Sequence, residues 1–96
     1  MPTTPSNDTV HAVAVVSGRV QGVGFRWWTR YVAGGLGVSG SAVNRADGRV
    51  EVHVEGPRAA VEAMLARLAD GPPTSRVVAV DHRWEPPSGM SGFALG

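Results

Sequence analysis

The chain has 96 residues, a formal net charge of +1 and no cysteine. Its length fits one small domain, and the lack of cysteine excludes disulfides and thiolate metal sites. The charge provides no overall basic field for nucleic acid, no apolar run approaches the roughly 20 residues of a membrane span, and the opening MPTTPSNDT lacks the apolar segment of a secretory signal. We expect a cytoplasmic monomer without a membrane or nucleic-acid partner, with a disordered tail at 1–9 and one domain at 10–96.

The first part of the chain predicts a strand, a glycine-rich loop and a helix. Residues 11–17, HAVAVVS, are apolar and largely β-branched, as in a buried strand. After the loop the spacing of apolar residues becomes helical, and Gly37 is a natural helix end. The predicted buried face of this helix carries Phe25, Trp28, Thr29, Val32 and Leu36. Trp27 falls outside that face and is expected to be at least partly exposed.

The middle of the chain predicts a β-hairpin. Residues 38–45 form a weak strand by composition, and the pair Asp47-Gly48 suits the positive φ of a tight turn. Residues 50–55, VEVHVE, alternate between apolar and polar side chains. Because successive side chains of a strand point to opposite faces, the three valines face inward and the three polar residues outward.

The last part of the chain predicts a second helix and one or two strands. The helix opens at Gly56-Pro57 and ends at Gly71. Residues 76–84 form a strand, and 93–95 form a possible short fifth strand. One face of the strand at 76–84 carries Val78, Val80, His82 and Trp84. The order β-α-β-β-α-β predicts a ferredoxin-like α+β sandwich, an antiparallel sheet with both helices on one face.

The loop at 18–25 has the composition of an anion-binding site. Its glycines, Gly18, Gly22 and Gly24, let backbone N–H groups turn toward a ligand. The loop leads into a helix N-terminus, which leaves N–H groups unpaired and carries a partial positive charge. Arg26 adds a planar cation that binds phosphate oxygens in pairs. These features predict a phosphate site, but a tight strand-to-helix turn explains the glycines equally well.

Two segments of the chain resemble the signatures of the acylphosphatase family. Residues 18–26, GRVQGVGFR, match the first signature, G-x-V-Q-G-V-x-F-R. Asn44, followed by DGRVE at 47–51 and by Gly56, matches the second signature at the family's spacing. The resemblance extends over roughly residues 10–95. The chain departs from the pattern at Ser41, where the family usually has a bulky aromatic residue, and at Val43, where it usually has Arg or Lys.

The resemblance implies an enzyme that hydrolyses acyl phosphates to a carboxylate and inorganic phosphate. Arg26 matches the family's phosphate-binding arginine, and Asn44 matches the asparagine that holds the attacking water. The loop whose backbone amides bind the phosphate matches Gln21, Gly22, Val23, Gly24 and Phe25. The expected partner is a small-molecule acyl phosphate, and neither a cofactor nor a metal is expected, since no ligand cluster has metal spacing.

The sequence alone leaves a second function open. The same fold is compatible with a non-catalytic module that binds phosphate or nucleic acid. The three histidines, His11, His53 and His82, lie on three different predicted strands without a shared spacing. We interpret them as structural residues rather than as part of a site.

Overall fold

Five strands and two helices make up the computed structural model, which describes residues 8–96. In chain order they are β1 (Thr9–Arg19), α1 (Phe25–Leu36), β2 (Ser39–Asn44), β3 (Val50–Pro57), α2 (Arg58–Asp70), β4 (Arg76–Glu85) and β5 (Phe93–Leu95). A disordered tail is predicted at 1–9. Residues 1–7 lie outside the described residues, and Thr9 belongs to β1.

The sheet has the strand order β4-β1-β3-β2-β5. Strand β1 pairs antiparallel with both β3 and β4, and β2 and β3 form the predicted antiparallel hairpin. The short β5 pairs with β2 in the parallel direction, so the complete sheet is mixed. The ferredoxin-like α+β prediction is confirmed, and the fifth strand adds one parallel edge to it.

The core lies between one face of the sheet and the two helices. Val50, Val52 and Val54 of β3 are fully buried there, as their alternation predicts. Phe25 of α1 and Met64 of α2 are at most 1% exposed and cover this face from the helix layer. Fully burying a side chain of this size stabilises the fold by about 1.5–3 kcal/mol. The opposite face, which we call the open face of the sheet, carries the polar side chains of β3.

Helix α1 follows the predicted pattern at its ends and on its faces. Gly37 terminates it in the left-handed conformation, with φ of 73°. Trp28 packs against the core, with its ring centre 5.5 Å from that of Phe25. Trp27 is 62% exposed, as expected for a residue outside the buried stripe. The helix therefore begins directly at the glycine loop and presents its first turn to it.

Strand β4 departs from the predicted alternation at a β-bulge opposite Ser17 and Gly18. A bulge adds one residue to a strand and so exchanges the faces of the side chains beyond it. Val78 is 74% exposed, whereas Val77 and Val80 pack against the core, so the prediction that Val78 shares a face with Val80 is wrong. Trp84, at the far end of the strand, is 41% exposed.

Candidate active site

The loop between β1 and α1 presents unpaired backbone N–H groups to solvent. Gly22 and Gly24 have φ of 73° and 80°, and both are exposed. Within residues 8–96, the N–H groups of 21–24 donate to no backbone carbonyl. Gly24 is the N-cap of α1 and no side chain caps the helix, so the first helical N–H groups are also free. Free N–H groups in a glycine loop at a helix N-terminus suit an oxyanion.

Two side chains hold this loop in place from opposite sides. The side-chain amide of Gln21 donates to the carbonyls of Arg45 and Arg49, at 2.7 and 3.0 Å. The hydroxyl of Thr74 donates to the carbonyl of Val23 at 2.7 Å. The loop is thus fixed both to the β2–β3 turn and to the segment before β4. The side chain of Gln21 is used for this attachment, which leaves its backbone N–H for a ligand.

Arg26 lies in the first turn of α1, and its side chain reaches the edge of β2. Its Nη1 donates to the carbonyl oxygen of Gly96. Gly96 is in turn attached to β2, because its N–H donates to the carbonyl of Ala42 at 3.0 Å. The guanidinium is therefore held beside β2 through Gly96.

Asn44 is the last residue of β2, where the sequence placed it. It pairs with Val50, whose side chain points into the core. Residues directly opposite in an antiparallel pair share a face, so Asn44 points to the helix side of the sheet, and it is exposed there. Gln21 contacts the residue that follows it and Gly96 contacts the strand two residues before it. These contacts bring Asn44, the loop and Arg26 to one end of the sheet.

The β2–β3 turn that receives Gln21 is itself fixed by ion pairs. Asp47 accepts hydrogen bonds from the backbone N–H of Arg49 at 3.1 Å and from its guanidinium at 2.6 Å. The side-chain hydrogen bond from Arg49 is the main cause that lowers the pKa of Asp47 to about 2. Arg45 pairs with Glu51 at 3.0 Å. Asp47 is thus a turn residue, as its sequence context predicts.

Sequence reasoning missed several contacts that build this site. The contacts of Thr74 and Gly96 come from distant parts of the chain, and no local pattern marks either residue. The double hydrogen bond from the Gln21 side chain was also missed, since the signature assigns only its backbone to a ligand. His11 and His53, interpreted as separate structural residues, are hydrogen-bonded to each other on the open face.

The described part of the chain offers neither a cluster of metal ligands nor a membrane-spanning helix. No group of three or more His, Cys, Asp or Glu residues within 8–96 is arranged to hold a metal ion. Neither helix within those residues is long and apolar enough to cross a membrane.

Comparison with known proteins identifies close relatives over nearly the whole chain. The family model for acylphosphatase matches residues 12–95. An acylphosphatase from Thermus thermophilus is 51% identical over 81 residues, which cover 84% of this chain and 92% of that protein.

Solved structures agree with this match. The crystal structure of acylphosphatase from Bacillus subtilis superposes with a TM-score of 0.87 at 33% identity, covering 91% of this chain and 98% of that one. The structure of an acylphosphatase from Coxiella burnetii gives a TM-score of 0.91 at 29% identity, covering 99% of this chain and all of that one.

Proposed function

The chain belongs to the acylphosphatase family, and we propose that it hydrolyses acyl phosphates with the loop 21–26 binding the phosphoryl group and Asn44 holding the attacking water. One observation carries the assignment of these residues. The loop with its free N–H groups is attached by Gln21 to the residue next to Asn44, and Arg26 is attached through Gly96 to the same strand. These contacts support a phosphate position in the loop with Arg26 and Asn44 nearby.

The chemistry of an acyl phosphate explains how so few groups suffice. The leaving group is a carboxylate, whose conjugate acid has a pKa of about 4 by analogy with side-chain carboxyls. It departs as an anion without a general acid. Phosphoryl transfer passes through a loose transition state with negative charge on the equatorial oxygens. The N–H groups of the loop and the guanidinium of Arg26 stabilise that charge.

Asn44 acts by positioning the attacking water rather than by adding charge. Its side-chain oxygen accepts a hydrogen bond from water and holds the water in line with the bond that breaks. Fixing a reactant in this way lowers the barrier because its orientation no longer has to be found during the reaction. The exposed position of Asn44 at the strand end leaves room for that water.

The direct test is hydrolysis of benzoyl phosphate by the purified protein. The release of inorganic phosphate measures the reaction. We expect turnover by the unchanged protein and its loss in Arg26→Ala. Arg30→Ala is the matched control, because Arg30 lies one turn further along α1 with its guanidinium 4.3 Å from the ring centre of Trp27. Phosphate binding without any turnover would contradict the enzymatic proposal and favour a binding module.

A further inference from the structure

A continuous chain of hydrogen bonds crosses the open face of the sheet, away from the phosphate loop. His11 of β1 contacts Glu55 through Nδ1 at 2.8 Å and His53 through Nε2 at 3.0 Å. The other ring nitrogen of His53 contacts Glu51 at 2.9 Å. Glu51 also accepts from Arg45 in the β2–β3 turn, at 3.0 Å. These hydrogen bonds therefore link the buried carboxylate of Glu55 at one end to the turn beside the candidate active site at the other.

Glu55 is a carboxylate anion held by the segment 88–90. Although it belongs to the outward-facing set of β3, it is only 6% exposed because this segment covers it. The backbone N–H groups of Ser88, Gly89 and Met90 donate to its two oxygens, at 2.7, 2.8 and 2.9 Å. Burial raises the pKa of Glu55, but these bonds together with that from His11 outweigh burial and lower the pKa to about 2.

Glu55 and Glu51 determine the protonation of the ring nitrogens that face them, which we call the outer nitrogens. A carboxylate only accepts hydrogen bonds, so Nδ1 of His11 carries a proton directed at Glu55. For the same reason Nε2 of His53 carries a proton directed at Glu51. The inner nitrogens, Nε2 of His11 and Nδ1 of His53, face each other at 3.0 Å. If both rings were neutral, two lone pairs would meet there, and a hydrogen bond needs one proton between them.

We propose that His11 and His53 share one additional proton, so that the pair is a single cation between Glu51 and Glu55 and couples the segment 88–90 to the β2–β3 turn in a pH-dependent way. The inner contact exists with one proton only. Removing the proton leaves two lone pairs facing each other, and adding a second places two N–H groups head to head. Both changes break the contact that joins β1 to β3 on this face.

The other charged groups around the pair are compatible with this assignment. Glu85 of β4 lies opposite His11 in the register, and it is paired with Arg83 at 2.8 Å. Ser41 of β2 lies opposite His53 and carries no charge. The nearby charges on β3 are Glu51 and Glu55, and the turn contributes Arg45. Among residues 8–96, a cationic pair thus has two carboxylates as direct partners and no cation in direct contact.

The loss of the shared proton affects the β2–β3 turn through Glu51, which contacts both His53 and Arg45. That carboxylate then keeps Arg45 as its cationic partner but loses the cation at His53. Since the carbonyl of Arg45 accepts from the side-chain amide of Gln21, a shift of Arg45 moves the environment of that amide. The change at the Gln21 side-chain amide is measurable in the protein without substrate. It does not depend on the proposed catalytic roles.

Nuclear magnetic resonance of the full chain with isotope-labelled histidine tests the proposal, in a titration from about pH 5 to about pH 9. We expect three protonated ring nitrogens among the four of His11 and His53 at intermediate pH, with both rings changing together. His82 contacts Trp84 on the other face and lies outside this network. The amide signals of 88–90 and the side-chain amide of Gln21 should follow the transition of the pair. Independent titration of the two rings, or a Gln21 signal that ignores the transition, would overturn the proposal.

Two variants separate this proposal from a purely structural role. His53→Gln removes the second ring, so the coupled signature of the pair should disappear, with folding checked by circular dichroism. Glu51→Gln replaces an anion by a neutral acceptor, so the pair should lose its shared proton at lower pH than in the unchanged protein. Glu62→Gln, an exposed change on α2, is the control and should leave the transition in place. An unchanged transition in Glu51→Gln would contradict the charge balance that we assign.

Discussion

The side-chain amide of Gln21 lies 2.7 Å from the carbonyl oxygen of Arg45, and this contact fixes the phosphate loop relative to the end of β2. A second bond, to Arg49 at 3.0 Å, makes the attachment two-pronged. The loop holds the candidate phosphate ligands, and Asn44 immediately precedes Arg45. In the proposed mechanism the relative position of phosphate and water therefore depends on the side chain of Gln21, which itself binds neither of them.

Replacing Gln21 by alanine should impair catalysis through this geometry. The variant loses two hydrogen bonds, each of which contributes about 1 kcal/mol to stability. A displacement of reacting groups by about 1 Å costs up to about 100-fold in rate, so we expect kcat to fall by about 10- to 100-fold. Steady-state hydrolysis of benzoyl phosphate and urea unfolding provide the two measurements. Thr74→Val, which removes the attachment at Val23, is the companion variant. Normal kcat in Gln21→Ala would show that the attachment does not position the site.

The glycines of the loop and of the helix should respond in opposite directions to alanine. Gly22 has φ of 73° with no atom near a β-carbon placed there, so Gly22→Ala meets only backbone strain, about 1–2 kcal/mol. Gly34 lies inside α1 without a positive φ and is equally open. Gly34→Ala should therefore stabilise the fold by up to about 1 kcal/mol. Thermal unfolding of the two variants, measured side by side, checks both signs.

Glu55 should make the stability of the fold depend on acid pH. Its pKa is about 2 in the folded chain, against an ordinary value of 4.5. A lowered pKa means that the stabilisation is complete above about 4.5 and is lost as the pH falls toward 2. Glu55→Gln should be less stable than the unchanged protein near neutral pH, and the difference should shrink through that acid range. Urea midpoints at several pH values measure the gap, with Glu62→Gln as the exposed control. A gap that stays constant across the range would refute the ionised state of Glu55.

Inorganic phosphate should compete with the substrate for the loop. Its tetrahedral oxygens suit the same N–H groups and the same guanidinium. Rising phosphate concentration should increase the apparent KM for benzoyl phosphate and leave kcat unchanged. An effect on kcat alone would place the phosphate elsewhere on the protein.

The parts of the fold that depend on local pattern could be predicted from the sequence, and the parts that depend on distant partners could not. The alternation through Val50, Val52 and Val54 gives the core face of β3 directly. The bulge that exposes Val78 has no such signal, because it results from the pairing of β4 with the end of β1. The same holds at the site, where the signatures indicate the loop and Asn44, but the contact from Thr74 depends on the folded chain.

The pairing of His11 and His53 shows the same limit. The two residues are 42 positions apart in the sequence, and each reads as one polar residue on one strand. Only the register that places Val13 opposite His53 brings the two rings within reach of each other. A contact of this kind follows from topology rather than from composition.

Arg26 and Asn44 should separate binding from turnover. In the proposed mechanism Arg26 makes a charge-assisted contact with the phosphate both in the bound state and in the transition state, so Arg26→Ala should lose phosphate binding and turnover together. The proposed role of Asn44 is to hold the water, so Asn44→Ala should lower kcat by about 100-fold or more, as does the loss of other positioned polar groups, with phosphate affinity close to normal. Asn44→Asp should be no better, because a new carboxylate repels an anionic substrate.

Calorimetric titration with inorganic phosphate, alongside turnover of benzoyl phosphate, measures this separation, and circular dichroism confirms that each variant folds. Ser41→Ala is the matched control, since Ser41 lies on the same strand but points to the open face, opposite His53. It should keep both phosphate binding and turnover. If Asn44→Ala retains normal turnover, or loses phosphate binding as completely as Arg26→Ala, then Asn44 does not hold the water, and the loop with Arg26 must orient the nucleophile by another contact.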